Sequence, residues 1–149
     1  MKSGPWRLWS EAVNVLLVDD NEDIRTLMRR VLSMAGIEVS EAASGAEALA
    51  ALRDQAPPDV VVLDVQMPVV DGWETLRSIR TDPDLRALPV VMCTVKGRPE
   101  DVDQGLQLGC TAYVAKPFDI EVLVDTVRQV ASSGASGTAA PSRDPFGRR

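Results

Sequence analysis

The 149-residue chain contains no histidine. Histidine-ligated metal centres, Ser–His–Asp catalysis and a role as phosphohistidine carrier are thereby excluded. Cysteine is almost as scarce. Cys93 and Cys110 match neither a metal-ligand spacing nor a CxxC motif, so buried free thiols in a reducing compartment are expected. Long apolar runs are missing too. The opening MKSGPWRLWSEA has no apolar signal-peptide core, and no stretch approaches the length of a membrane span. A cytoplasmic protein without membrane insertion is expected. The last absence is a basic face. Residues 13–132 carry 11 Lys or Arg against 20 Asp or Glu, which argues against a nucleic-acid partner, because neutralising phosphates needs positive charge. The acidity fits a bound cation or a basic patch on a partner, and solubility alone also accounts for it.

What is present is one alternation repeated five times. VNVLLV (13–18) is strand-like and runs into Asp19 and Asp20. NEDIRTLMRRVLSMAG (21–36) places Ile24, Leu27, Met28, Val31, Leu32 and Ala35 on one helical face, with acids first and Gly36 at the close, as helix polarity and capping favour. Either Asp20 or Asn21 can cap it. IEVSEA (37–42) reads as a strand with one wetter face, and SGAEALAALRDQA (44–56) as a helix with Ser44 and Glu47 spaced for a capping box. DVVVLD (59–64) is a strand of fully buried type, followed by a helix in DGWETLRSIRT (71–81). LPVVMCT (88–94), RPEDVDQGLQLG (98–109), TAYVAK (111–116) and DIEVLVDTVRQVA (119–131) continue as strand, helix, strand and helix. Apolar strands alternating with helices predict an α/β fold whose parallel sheet is covered on both faces. One domain spans 13–131. Residues 1–12 form an arm outside the repeat, in which Trp6 and Trp9 either anchor on a surface or stay loose. The Ser/Gly/Ala/Pro-rich stretch 132–149 is expected to be disordered.

Ligands of open α/β sheets bind at the carboxyl ends of the strands. Here the first strand ends in Asp19 and Asp20, the third in Asp64, the fourth in Thr94 and the fifth in Lys116. Three carboxylates brought together repel, and a hard divalent cation such as Mg²⁺ would compensate them with oxygen ligands. An ammonium and a hydroxyl facing that cation describe a pocket for a phosphoryl group in transfer. A carboxylate can itself be the nucleophile, forming an acyl phosphate. Asp64, alone at the end of the most buried strand, is the best candidate. Pro68 and Gly72 then turn the chain away and leave it open at the rim.

The stretches LLVDDNEDIR, VVVLDVQMPVVDG, VVMCT and AYVAKPF resemble the receiver domain of two-component response regulators, over residues 13–131. The resemblance implies a flavodoxin-like, doubly wound (βα)5 fold with a five-stranded parallel sheet in order 2-1-3-4-5. It implies phosphorylation of Asp64 by the phosphohistidine of a histidine kinase, by a phosphotransfer protein or by a small acyl phosphate. Mg²⁺ would be held by Asp20, Asp64 and the backbone carbonyl of Gln66, with Asp19 acting through water. Lys116 would contact the phosphoryl group, Thr94 would turn towards it, and Tyr113 would follow as an aromatic switch. The Lys116–Pro117 bond would be cis. The output would be a protein contact on the face of the fourth helix, fifth strand and fifth helix, with self-catalysed phosphotransfer and dephosphorylation as the only chemistry. The chain resembles a stand-alone receiver, with homodimerisation left open.

Each residue also has a plainer reading. An Asp-Asp pair after a strand often only caps a helix, and an Asp before a turn is often only a turn residue. An aromatic on a last strand is often packing, and Trp73 is expected to fill core or surface. Val95 stands where the family usually has a small residue, which keeps open a receiver-fold scaffold that does not switch, or a phosphate sink. A phosphatase of the aspartyl-phosphate type is disfavoured. It needs an acid two residues after the nucleophile, and Gln66 cannot serve as one.

Overall fold

The computed structural model describes residues 13–65, 67, 71–95, 99–116 and 119–136. Five strands alternate with five helices: β1 Asn14–Val18, α1 Glu22–Met34, β2 Glu38–Ala42, α2 Gly45–Asp54, β3 Val60–Asp64, α3 Gly72–Thr81, β4 Val90–Val95, α4 Pro99–Leu108, β5 Ala112–Lys116 and α5 Ile120–Ser136. The strands form one sheet, all parallel, in order β2-β1-β3-β4-β5. This is the order that the family resemblance implies.

Period-two geometry explains why the strands read as continuous apolar runs. Leu16, Val18, Val61, Leu63, Val90 and Met92 point into a core shared with Leu52 of α2 and Leu76 and Ile79 of α3. Their neighbours Val15, Leu17, Val60, Val62 and Val91 point into a second core with Met28 and Leu32 of α1 and Leu123 and Val127 of α5. Every residue of β3 is buried, whereas β2 at the sheet's edge exposes Glu38, Ser40 and Glu41.

Local chemistry sets the helix ends. Asn21, not Asp20, caps α1, its Oδ1 accepting from the Ile24 N–H at 3.0 Å. Gly36 at φ 85° closes α1, with Ile37 N–H donating to Leu32 O, and Gly109 at φ 91° closes α4 in the same way, with Cys110 N–H donating to Gly105 O. These are the left-handed positions that favour glycine. Ser44 caps α2 as its spacing predicts, accepting from the Glu47 N–H. The Glu47 carboxylate accepts from the Ala43 N–H rather than from that of Ser44, so the box closes one residue before the cap. The last helix continues to Ser136, five residues into the stretch expected to be disordered from 132. Val130 and Ala131 are buried against the second core, so the helix is anchored at the point where low-propensity Ser and Gly begin. The Trp6/Trp9 arm lies outside the described residues.

Arg80, at the end of α3, ties the lower edge of the sheet together. Its guanidinium donates to Gly109 O at 2.7 Å, Leu88 O at 2.7 Å, Arg86 O at 3.1 Å and Thr111 Oγ1 at 3.4 Å. Thr111 Oγ1 in turn accepts from the Val90 N–H that starts β4. Burial lowers the Arg80 pKa, against the pull of the Cys110 thiol beside it. Burial likewise pushes that thiol from an ordinary value of 9.0 up to about 12, opposed by the Arg80 charge and a backbone hydrogen bond.

Arg80→Ala leaves three carbonyls without this donor and is expected to cost roughly 1–3 kcal/mol in urea unfolding. Arg80→Lys should recover only part, since an ammonium cannot span a planar fork of acceptors. Equal stability of all three proteins would refute the clamp. The Cys110 thiol also carries a pH signature. Its folded pKa lies above its unfolded one, so its contribution is full below about pH 9 and is lost as the unfolded thiol ionises on the way to pH 12. The unfolding midpoint should therefore fall less steeply above about pH 9 in Cys110→Ala than in the parent.

Candidate functional site

The carboxyl ends of β1 and β3 are adjacent because those strands pair in register, Val18 beside Leu63. Asp64 continues the series Val60, Val62 and Asp19 the series Val15, Leu17, so both acids leave the sheet towards the α1/α5 side. Carboxylate oxygens of Asp19, Asp20 and Asp64 lie within 4.8 Å of one another. Asp19 and Asp64 are buried and Asp20 is exposed. The mouth of the site is therefore at Asp20. Asp64 is only 6% exposed, more covered than the open rim expected from the sequence.

Three features hold these like charges in place. The Asp19 carboxylate accepts from the Asn21 N–H at 2.9 Å, an Asx turn that leads into α1. The positive end of that helix then faces the acids. Arg25, one turn into α1, donates from Nη1 to the Asp19 carbonyl at 2.7 Å and from Nε to Glu41 at 3.0 Å, and Arg29 pairs with the other Glu41 oxygen at 2.9 Å. Arg25 was not among the residues singled out from the sequence. Its signal is an arginine five positions after an acid pair, on the helix which that pair introduces. Gly72 is the third. A β-carbon there would lie 2.3 Å from Asp64 O and 2.8 Å from Val65 Cα. The Gly72 N–H donates to Val65 O at 3.0 Å. Gly72 is thus needed for close backbone approach behind Asp64, a stronger demand than the turn expected of it.

Thr94 and Lys116 lie on adjacent strands near the same edge, in the register Thr94 beside Ala115 and Val95 beside Lys116. Their side chains, the side chain of Val95, and all of Gln66, Lys96 and Pro117 lie outside the described residues. Tyr113 is buried at 1% exposure, its ring edge-on to Trp73 at 6.5 Å between centroids and 61° between planes. Trp73 packs partly buried against the first core, as expected for a filling residue. No helix of the described residues is long and apolar enough to cross a membrane.

An all-oxygen, negatively charged donor set suits a hard divalent cation such as Mg²⁺, so the residues present fit the ion that the acidic cluster calls for. The arrangement supplies two buried carboxylates and an exposed one that could seat a cation, with Thr94 and Lys116 near the ends of adjacent strands at the same edge of the sheet.

Residues 15–128 match the family described as response regulator receiver domain. The response regulator Rre1 of Synechocystis is 38% identical over 143 residues, 92% of this chain and 62% of that protein. The polar-differentiation response regulator DivK of Brucella abortus is 35% identical over 77% of this chain and 93% of its own length. Among solved structures, the chemotaxis protein CheY4 of Vibrio cholerae matches with a TM-score of 0.74 and 38% identity, covering 80% of this chain and 98% of that one. The chain spans 44–62% of Rre1 and three further relatives that it matches, about half their length.

Because the contact behind Asp64 is backbone on backbone, Gly72→Ala should be poorly relieved. A loss of about 1–3 kcal/mol is expected in denaturant unfolding, as for other overpacked sites. An unchanged midpoint would contradict the close approach.

Proposed function

The chain belongs to the response regulator receiver family, signalling domains of two-component systems, and from that premise we propose that Asp64 is its phosphoacceptor. The observation that carries the reading is the convergence of Asp19, Asp20 and Asp64 at the ends of β1 and β3. In the proposed reaction an Asp64 oxygen attacks the phosphorus of a phosphohistidine on a histidine kinase or phosphotransfer protein. The O–P bond forms, the N–P bond breaks, and the departing imidazole keeps the electron pair and takes up a proton. The product is an acyl phosphate.

Mg²⁺, held by Asp20, Asp64 and the Gln66 carbonyl with Asp19 through water, would neutralise charge on the transferring oxygens. The chain does the rest. The β3 strand, buried along its whole length, keeps Asp64 from shifting when it is attacked. Lys116 supplies a fixed positive charge to the phosphoryl oxygens, and Thr94 a hydroxyl donor. Tyr113, in the switch position, couples Thr94 to the face of α4, β5 and α5, which passes the change to a protein target. Exposed Leu106 on α4 and Ile120 and Val122 on α5 support an apolar contact on those helices.

A second reading, a receiver that binds without switching or serves as a phosphate sink, draws on one observation. Tyr113, the side chain assigned to move inward, is already buried.

Incubation with acetyl phosphate and Mg²⁺ should add one phosphoryl group by intact mass. The gain should vanish with chelator and in Asp64→Asn, and should be slowed in Asp20→Asn. No gain across several donors and pH values, or a gain that persists in Asp64→Asn, would overturn the assignment.

A further inference from the structure

Gly105 stands inside α4 without a backbone reason to be glycine. The positive-φ glycines among the described residues are Gly36 and Gly109, and Gly105 is helical, one turn before Gly109. Glycine within a helix is less stable than alanine. The space in front of it supplies the reason. A β-carbon at 105 would lie 1.9 Å from Tyr113 Oη, 2.5 Å from Cζ and 2.7 Å from Cε2. All three distances are shorter than any real contact of a β-carbon. Tyr113 therefore occupies the volume that any other residue at 105 would take for itself.

The seat has a second wall. Trp73 of α3 meets the Tyr113 ring edge-on, the geometry in which a ring's positive edge faces its neighbour's negative face. Met92 lies beside Tyr113 in the β4–β5 register and belongs to the same core. A tyrosine ring is rigid beyond its second torsion, so it cannot yield by bending. The overlap is relieved only if the ring rotates about χ1 and χ2 or α4 retreats, and either opens the seat.

We propose that Gly105 is a positioning residue for Tyr113: by carrying no side chain it opens a socket that holds the ring inward in the resting protein. The consequence for signalling rests on the reading of Tyr113 as the switch proposed above. If inward is the conformation that a phosphorylated receiver presents, the resting chain already populates it. Phosphorylation of Asp64 then has little left to shift at this residue, because a ligand moves an equilibrium only by its preference between states. The Gly105 socket thereby biases the α4–β5–α5 face before Asp64 is modified.

Tyr113 is the chain's one tyrosine, so full-length protein labelled with 3-fluorotyrosine gives one fluorine resonance. In the parent that resonance should lack a solvent isotope shift between H₂O and D₂O. It should stay in place when beryllofluoride and Mg²⁺ are added. In Gly105→Ala it should become solvent-sensitive. A parent resonance that is solvent-exposed at rest, or one that stays buried in Gly105→Ala, would overturn the proposal. The resting spectrum is recorded without any phosphoryl donor, so it reads the socket whether or not Asp64 is an acceptor. Failure of acetyl phosphate to modify Asp64 is a separate result. Stability gives an independent arm that does not depend on the label. Gly105→Ala should lower the urea midpoint in the parent and raise it in a Tyr113→Ala background, where only the helix preference remains. The same sign in both backgrounds would also overturn the proposal.

Discussion

Repulsion among the carboxylates of Asp19, Asp20 and Asp64 is the interaction that the surrounding structure has to contain. Three negative charges within 4.8 Å of one another separate unless the chain holds them. Two of them are buried, where water screens least. The restraint is distributed. Paired parallel strands fix where Asp19 and Asp64 emerge, and the first turn of α1 places backbone N–H groups and the positive end of its dipole beside them. Arg25 pins the Asp19 carbonyl, and Gly72 lets the start of α3 close against the back of Asp64. The three carboxylates so held could seat a small, hard cation. The geometry that costs the fold stability is thus also the one that suits such an ion.

Much of this was legible in the chain. The alternation of apolar runs with amphipathic stretches predicts five β-α units, because both faces of a parallel sheet must be apolar and each crossover needs a helix. The acids at the ends of the first and third runs were legible for the same reason, since a polar residue that ends a buried strand has to sit at the rim. Strand order was not in the periodicity. It came with the resemblance carried by the quoted motifs. The capping of α2 by Ser44 could be read locally, while which N–H the Glu47 carboxylate accepts from could not, since Ala43 and Ser44 both offer one within its reach.

The residues missed share a physical character: each acts on something distant in sequence. Arg80 binds carbonyls up to Gly109, Arg25 reaches from α1 to Glu41 on the edge strand, and Gly105 makes room for a ring on the next strand. Glycine is the hardest to interpret. Gly36, Gly72, Gly105 and Gly109 look alike in the sequence, yet two relieve backbone strain and two make room for another group. The distinction lies in the contacts of an atom that is not there, so it needs the fold.

The edge strand β2 has a different implication. Glu38 and Glu41 are exposed on opposite faces of this strand, and Glu41 is held by Arg25 and Arg29, so charged side chains flank one unpaired border of the sheet. A second copy adding a strand there would have to bring its chain past the Glu38 carboxylate and this ion-pair cluster, so strand addition is opposed before any ladder can form. Growth of the sheet across molecules is thereby disfavoured at this border, although the edge itself stays open.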